Sequence, residues 1–162
     1  YLRRVGWRGR RLRALSRKFS LDTSVLIEYI VKSAPYRSKV VELLEKSEAG
    51  EFELYLSPII LAETLYIASR IYEIAGEEDP NESALNYVTW VRKRCDVVDI
   101  DDFISMRAGE LKKALHIAMP DCYVIATAEK VDAIPLFKRI EKEMNPTSDI
   151  LKKLGVKFLD QI

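Results

Sequence analysis

The 162-residue sequence predicts an α/β fold, a three-layer α/β/α sandwich with a mainly parallel sheet of about five strands. Two observations support this prediction. Short hydrophobic runs alternate with longer stretches whose apolar residues recur at helical spacing, and proline or glycine marks many of the boundaries between them. Strands separated by helices favour right-handed crossovers and therefore a parallel sheet. Functional groups in such sheets gather beyond the carboxyl ends of the strands.

The predicted strands and helices follow one another along the whole chain. The strands cover residues 19–22, 52–56, 97–100, 133–137 and 156–159. The helices cover residues 24–30, 36–47, 59–74, 80–95, 103–115, 122–130 and 148–154. No run approaches the roughly 18 to 20 apolar residues that cross a bilayer, so no membrane segment is expected.

Serine, proline and glycine residues mark the predicted ends of several helices. Ser24 is a possible N-cap of the first helix, Pro35 breaks that helix, and Gly50 ends the second. Pro58 and Pro120 stand where first-turn helix residues belong, because the amide hydrogen that proline lacks has no partner there. The third and sixth helices are therefore predicted to begin beside these two prolines.

Charge divides the chain into two parts. Residues 1–18 carry eight basic residues and no acidic one, whereas the remaining 144 residues carry 18 basic and 25 acidic residues. We therefore predict a basic N-terminal extension, residues 1–18, and a single domain, residues 19–162. A basic arm on an acidic domain is typical of nucleic-acid binding, because each phosphate that it neutralises releases counterions. An extension without a function is the alternative.

Histidine and cysteine are scarce, which excludes several kinds of active site. His116 is the only histidine, so neither a catalytic histidine pair nor a multi-histidine zinc site is available, and His116 itself is predicted to be structural. Cys95 and Cys122 are too few for a disulfide framework and lack metal-ligand spacing, which favours a reducing compartment such as the cytoplasm. Abundant Glu, Lys, Arg and Ile resemble a thermophile's composition. An enzyme of this composition works with carboxylates.

Three acidic residues occupy the positions where an α/β sheet gathers functional groups. Asp22 ends the first strand, and Glu63 and Asp121 lie near the starts of two later helices. Two carboxylates roughly 4 Å apart repel each other by on the order of 4 kcal/mol at an effective dielectric constant of about 20. A divalent cation removes this cost, and oxygen ligands without histidine or cysteine suit Mg²⁺ or Mn²⁺. Taken singly, each acid is also explained as a helix cap or a solvated residue.

The same acids lie in segments that resemble the motifs of PIN domains. Leu21-Asp22-Thr23-Ser24-Val25-Leu26-Ile27 is similar to the opening motif, in which a strand, an aspartate and a small hydroxyl pair precede a helix. Leu61-Ala62-Glu63 resembles the second motif, and the segment from Met119 to Ala128 resembles the third. The order of elements from Phe19 to Leu159 also matches the family, which implies a PIN-like fold.

PIN domains are metal-dependent ribonucleases, and small ones are often the toxins of VapBC-type toxin–antitoxin pairs. The resemblance therefore implies an endoribonuclease that hydrolyses RNA phosphodiester bonds. In this interpretation Asp22, Glu63 and Asp121 are catalytic and hold one or two Mg²⁺ or Mn²⁺ ions, which activate the attacking water. Ser24, and less directly Thr23, would hydrogen-bond a carboxylate or a water on the metal. Helix capping is the alternative role of both hydroxyls.

The fourth family motif departs from the usual pattern. The family commonly places Thr or Ser, one further residue and an acid after the fourth strand, whereas Lys138-Arg139-Ile140-Glu141 follows here. Aligned without a gap, Ile140 occupies the place of the acid, and a shift of one residue gives Glu141, the predicted fourth metal ligand. The weaker candidates are Glu143 and Asp132.

Binding partners follow from the same resemblance. An acidic cleft repels RNA, so Lys138 and Arg139 are predicted phosphate contacts, together with Lys142 and the N-terminal arginines; a solvated charged face is the alternative. An antitoxin and a second copy of the chain in a homodimer are the expected protein partners. Part of the apolar helical stripes would serve as a dimer interface or antitoxin groove, although most of those residues are expected in the core. These stripes include Tyr66, Ile67, Ile71, Tyr87 and Trp90.

Two other functions are compatible with the sequence. A PIN-like module that binds RNA or protein without cleaving RNA is favoured by the irregular fourth motif. A phospho-acceptor receiver domain also gathers acids at strand ends, but it requires an acidic pair before the strand-end aspartate and a lysine after a late strand. Neither arrangement is clear in this sequence.

Overall fold

The computed structural model describes residues 17–162 and confirms the predicted α/β class, with five parallel strands and seven α-helices in that range. The strands are β1 (Arg17–Leu21), β2 (Phe52–Leu56), β3 (Asp96–Val97), β4 (Ile134–Phe137) and β5 (Lys157–Phe158). The helices are α1 (Thr23–Ile30), α2 (Arg37–Glu48), α3 (Pro58–Ile74), α4 (Pro80–Arg92), α5 (Asp102–Leu115), α6 (Met119–Val131) and α7 (Ser148–Lys153). Short 3₁₀ helices cover Lys142–Thr147 and Leu159–Gln161.

The strand order β3-β2-β1-β4-β5 creates the place where a site can form. The chain moves from β1 through β2 to β3, then crosses back and adds β4 on the other side of β1. Because right-handed crossovers in opposite directions cover opposite faces, α1 to α4 lie on one face and α5 to α7 on the other. The order therefore reverses between β1 and β4, and open α/β sheets bind ligands at the carboxyl ends of such strands. Receiver-type sheets have the order 2-1-3-4-5, which differs from this one.

The core lies on both faces of the central strands. Phe19, Leu21, Leu54, Leu56 and Leu136 are almost completely buried, as a parallel sheet covered on both faces requires. A cluster of aromatic rings from α1 and α4 extends this core: Tyr29 stacks on Trp90 with ring centroids 4.9 Å apart, and the Tyr87 hydroxyl donates to the Leu26 carbonyl. Of the predicted apolar stripes, Tyr87 and Trp90 on α4 therefore belong to the core, whereas Tyr66 on α3 is 59% exposed.

The first strand and the first helix cap differ from the prediction. β1 begins at Arg17, so the last two residues of the predicted extension belong to the sheet, and Lys18 forms an ion pair with Glu53 of β2. The predicted phosphate contacts before Arg17 lie outside the described residues. Asp22, rather than Ser24, is the N-cap of α1, because the Asp22 carboxylate accepts the Ser24 amide hydrogen.

The third and fifth strands are shorter than predicted. β3 ends at Val97, although the Val98 amide still donates to the Leu56 carbonyl. The acids that follow favour a helix cap over a strand: the Asp101 carboxylate accepts the Ile104 amide hydrogen and begins α5. β5 ends at Phe158, where a 3₁₀ turn takes over.

Three further sequence expectations concern single features. His116 ends α5 in the left-handed backbone conformation with an exposed side chain, which agrees with a structural role. Cys95 and Cys122 are both buried and free. Among the helices of residues 17–162, none combines the length and the apolar character needed to cross a bilayer.

Candidate acidic site

Asp22 lies at the switch point between β1 and β4. Its backbone amide donates to the carbonyl of Leu136 in β4, which holds the residue between the two strand ends. Its carboxylate oxygen Oδ2 accepts the amide and the hydroxyl of Ser24, at 3.0 and 2.6 Å. Burial raises the pKa of Asp22, and the two hydrogen bonds from Ser24 only partly oppose that effect. The carboxyl group is therefore held in place by its neighbours while its charged form is disfavoured.

Ser24 joins the start of α1 to the end of β4. Its hydroxyl donates to Asp22 and accepts the backbone amide hydrogen of Lys138, at 3.1 Å. Ser24 therefore links the Asp22 carboxylate to the backbone at the end of β4. Thr23 is placed differently, because its hydroxyl oxygen accepts a hydrogen bond from Thr64 of α3 at 3.4 Å. Thr23 therefore ties α1 to the helix that carries Glu63.

Asp121 lies in the first turn of α6 and is 9% exposed. A helix N-terminus by itself favours the ionised form. Here burial dominates and, together with the negative charges of nearby acids, raises the pKa of Asp121 to about 8. In decreasing order of effect, those acids are Asp22, Glu141, Glu63 and Glu143. The carboxyl groups of three helices and of the segment after β4 are thus close enough to act on one another's ionisation.

Glu63 and Glu141 reach the same region from different elements. Glu63 is the sixth residue of α3, and its charge raises the pKa values of both Asp22 and Asp121. Glu141 immediately precedes the 3₁₀ helix after β4. Asp132, one of the weaker candidates, follows the last turn of α6, roughly 16 Å along the helix axis from Asp121. The structure therefore leaves Glu141 and Glu143 as the acids after β4 that act on Asp121.

The donor set fits a hard divalent cation. Asp22 Oδ1 is buried and accepts no hydrogen bond from residues 17–162, although buried carboxylate oxygens normally have a partner. Oxygen donors alone suit Mg²⁺ or Mn²⁺. Within the described range, no three His, Cys, Asp or Glu side chains are already arranged to hold a metal ion. The acids are therefore near neighbours rather than a closed coordination group.

A buried ion pair behind the acids was missed by the sequence analysis. Glu28 is 3% exposed, and its carboxylate accepts the Tyr36 amide and contacts the Lys138 ammonium at 2.8 Å. Lys138, a predicted phosphate contact, thus forms an ion pair with a buried carboxylate of the same chain, whereas the Arg139 side chain is exposed. The only sequence signal was a glutamate on the apolar face of α1, which requires a partner when it is buried.

The high pKa of Asp121 predicts that stability depends on pH. An unfolded aspartate has a pKa near 3.9, whereas the folded value is about 8, so between these values the native state holds a proton that the unfolded state has lost. The free energy of unfolding of the metal-free protein should therefore decrease as pH rises from about 4 to about 8. Urea denaturation across this window should show a weaker decrease for Asp121→Asn. Asp132→Asn, at the exposed other end of α6, is the control, and identical pH profiles for wild type and Asp121→Asn would contradict the prediction.

The fold and the site together define an α/β protein with an acidic centre at the switch point of a parallel sheet. The family model of the PIN domain matches residues 20–138, and the chain belongs to this family. This assignment excludes the receiver-domain alternative. A comparison with curated proteins gives no match.

Solved structures share the fold at low sequence identity. VapBC2 from Rickettsia felis, bound to a DNA fragment from its promoter, is 22% identical, with a TM-score of 0.58 over 80% of this chain and 92% of that one. FitAcB from Neisseria gonorrhoeae is 17% identical, with a TM-score of 0.65 over 90% and 99%. DNA-bound VapBC from Salmonella typhimurium is 17% identical, with a TM-score of 0.59 over 88% and 96%.

Proposed function

We propose that this protein is a Mg²⁺- or Mn²⁺-dependent endoribonuclease that hydrolyses RNA phosphodiester bonds. The observation that carries the proposal is the convergence of Asp22, Glu63 and Glu141 on the buried Asp121, whose pKa is raised first by burial and then by the negative charges of these acids. Such an arrangement costs stability unless a cation offsets the negative charge. The acidic cluster, defined here as Asp22, Glu63, Asp121 and Glu141, is therefore interpreted as a metal centre.

Each residue of the acidic cluster has a distinct task in this mechanism. Asp22 would offer a cation its Oδ1, which accepts no hydrogen bond within residues 17–162, while Ser24 holds Oδ2 and so orients the carboxylate. Asp121 would have to be deprotonated to act as a ligand. Glu63 and Glu141 would complete the oxygen donor set. When bound, the cation supplies a nucleophilic water near neutral pH and offsets charge on the phosphate, so no histidine base is needed.

We further propose that the enzyme is the toxin of a VapBC-type pair. The solved structures similar to this chain include VapBC complexes, and these share its fold. An antitoxin and a second copy of the chain are accordingly the proposed protein partners. Tyr66, Ile74 and Leu85 on α3 and α4 are large apolar residues that remain more than half exposed, which suits a protein interface. Buried free cysteines favour the cytoplasm as the compartment.

A metal titration tests the proposed activity. We expect Mn²⁺ in large excess over its Kd to raise the melting temperature by about 5 °C or more, because binding to the native state alone stabilises it. The same addition should start cleavage of a labelled single-stranded RNA, and a chelator should stop it. Potassium chloride of equal ionic strength is the control. A melting temperature and an RNA substrate both unchanged by Mn²⁺ would refute the nuclease.

A second candidate is a PIN-domain module that binds RNA or protein without cleaving RNA. Two observations favour it: no preformed metal-ligand group exists in residues 17–162, and Lys138 occupies the usual place of a small hydroxyl residue in the fourth motif. This candidate predicts RNA retention in a binding assay without cleavage at any Mn²⁺ concentration. The nuclease predicts cleavage under the same conditions.

A further inference from the structure

RNA that reaches the acidic cluster needs cations nearby to offset repulsion. The Lys138 ammonium is already paired with the buried Glu28. Arg139 is the next residue, and it forms no ion pair with any residue of 17–162. Consecutive Cα atoms are about 3.8 Å apart, so the Arg139 Cα lies within about 8 Å of the Glu141 Cα. Arg139 is thus an exposed cation, without an ion-pair partner in residues 17–162, that lies two residues before Glu141 in the chain.

Arg139 forms one wall of an open cavity of about 410 Å³ beside β5. The wall is held in place because the Leu159 amide donates to the Lys138 carbonyl, which joins the segment after β4 to the end of β5. The volume lies in the usual range of ligand sites. The cavity, named here the β5 cavity, is lined by Arg139, Ile140, Lys152, Lys157 and Phe158, among other residues.

The lining of the β5 cavity combines the two surfaces that a nucleotide requires. Arg139, Lys152 and Lys157 supply positive charge, and none of them forms an ion pair with another described residue. The apolar surface comes from Ile140, which is 40% exposed, and the half-buried ring of Phe158. Two acids, Asp149 and Asp160, leave the lining with one more cation than anion. Cationic side chains bind the phosphates of RNA whatever its base sequence, and the bases pack on aromatic or apolar surfaces.

We propose that the β5 cavity is a subsite for single-stranded RNA and holds a nucleotide next to the one being cleaved. Arg139 and Lys152 contact its phosphates, and its base packs on Ile140 and Phe158. This inference rests on the proposed ribonuclease function and adds where the substrate is held. It also explains how an acidic site can retain a polyanion, because the contacts lie beside the carboxylates and not among them.

A second cavity of the same chain provides a matched control. It measures about 460 Å³ and is lined by Arg92, Lys93 and Arg94 together with Glu53 and Asp96. Its excess of one cation equals that of the β5 cavity, but it lies at the amino-terminal ends of β2 and β3, away from the acidic cluster. If general charge alone attracted RNA, removing two cations from either cavity would weaken binding equally.

Binding is measured by fluorescence anisotropy with a labelled single-stranded RNA of about 12 nucleotides and Mg²⁺. The full-length Asp121→Asn chain prevents cleavage during the measurement. Adding Arg139→Ala and Lys152→Ala to that chain should raise the Kd about tenfold or more. The slope of log Kd against log salt concentration should fall by about 1.4, which is about 0.7 for each lost phosphate contact. Adding Arg92→Ala and Lys93→Ala instead should change the Kd by less than about twofold. Thermal melting verifies that both variants fold.

If the two double substitutions give the same Kd, whether it equals that of the Asp121→Asn chain or is higher in both, the proposed subsite is wrong. Cleavage by the otherwise wild-type chain with Mn²⁺ separates this failure from that of the proposed function. If the wild type cleaves RNA and Arg139→Ala/Lys152→Ala cleaves it with an unchanged KM, only the subsite is wrong. If the wild type neither cleaves RNA nor binds it, the proposed function fails and the subsite fails with it.

Discussion

Asp121→Asn should lower the rate of RNA cleavage by at least about 100-fold and leave the protein as stable as the wild type or more so. The amide keeps the size of the side chain but loses the negative charge that the cation requires. It also removes one member of a group of mutually repelling carboxylates, and that repulsion is part of what raises the pKa of Asp121 to about 8. Cleavage rate and melting temperature are measured on the same preparation.

Asp22→Asn tests the same centre from the other side of the switch point. Asparagine is as good an N-cap as aspartate, so α1 should keep its start and Ser24 its hydrogen-bond acceptor. Cleavage should be lost as it is in Asp121→Asn. Asp132→Asn is the control for both, because it lies at the far end of α6, where asparagine tolerates the left-handed backbone, and it should cleave normally.

Loss of activity counts for the metal centre only if the fold survives. An Asp121→Asn protein that cleaves RNA at the wild-type rate would remove Asp121 from the reaction. A variant whose melting temperature is well below that of the wild type would instead show that the residue has a structural role. The two readouts therefore distinguish chemistry from folding.

Lys138→Met should lower the free energy of unfolding by about 3 kcal/mol, because it leaves the buried Glu28 carboxylate without its ion-pair partner. The Lys138 side chain is 24% exposed, which places the effect at the low end of the range for buried pairs. The double variant Glu28→Gln/Lys138→Met should recover most of the loss, because no buried charge remains. Urea denaturation gives the free energies for a double-mutant cycle.

An exposed ion pair provides the comparison for Lys138→Met. Lys46 contacts Glu42 at 2.8 Å on the surface of α2, and both side chains are more than a third exposed. Surface pairs contribute little, so Lys46→Met should be nearly indistinguishable from the wild type. Equal effects of the two substitutions, or no recovery in the double variant, would show that the Glu28 carboxylate does not depend on Lys138.

Much of the fold could be predicted from local pattern. Hydrophobic runs and helix-cap residues act over a few positions, so β2, β4 and the helices that begin beside Pro58 and Pro120 were predicted closely. Failures occurred where distant residues decide the outcome. β1 begins at Arg17 because Arg17 pairs with Phe52 and Lys18 with Glu53 of β2, and the basic composition of that segment gave no sign of this.

By itself the sequence determined the sheet class, the placement of Asp22 after β1 and of Glu63 and Asp121 near helix starts, because strand and helix periods are properties of neighbouring residues. Only the tertiary structure decided which acid after β4 raises the pKa of Asp121 most, namely Glu141, and that Lys138 forms an ion pair with Glu28. Charge interactions depend on distance and burial, and both are set by elements more than 100 residues apart in the chain, such as α1 and the end of β4.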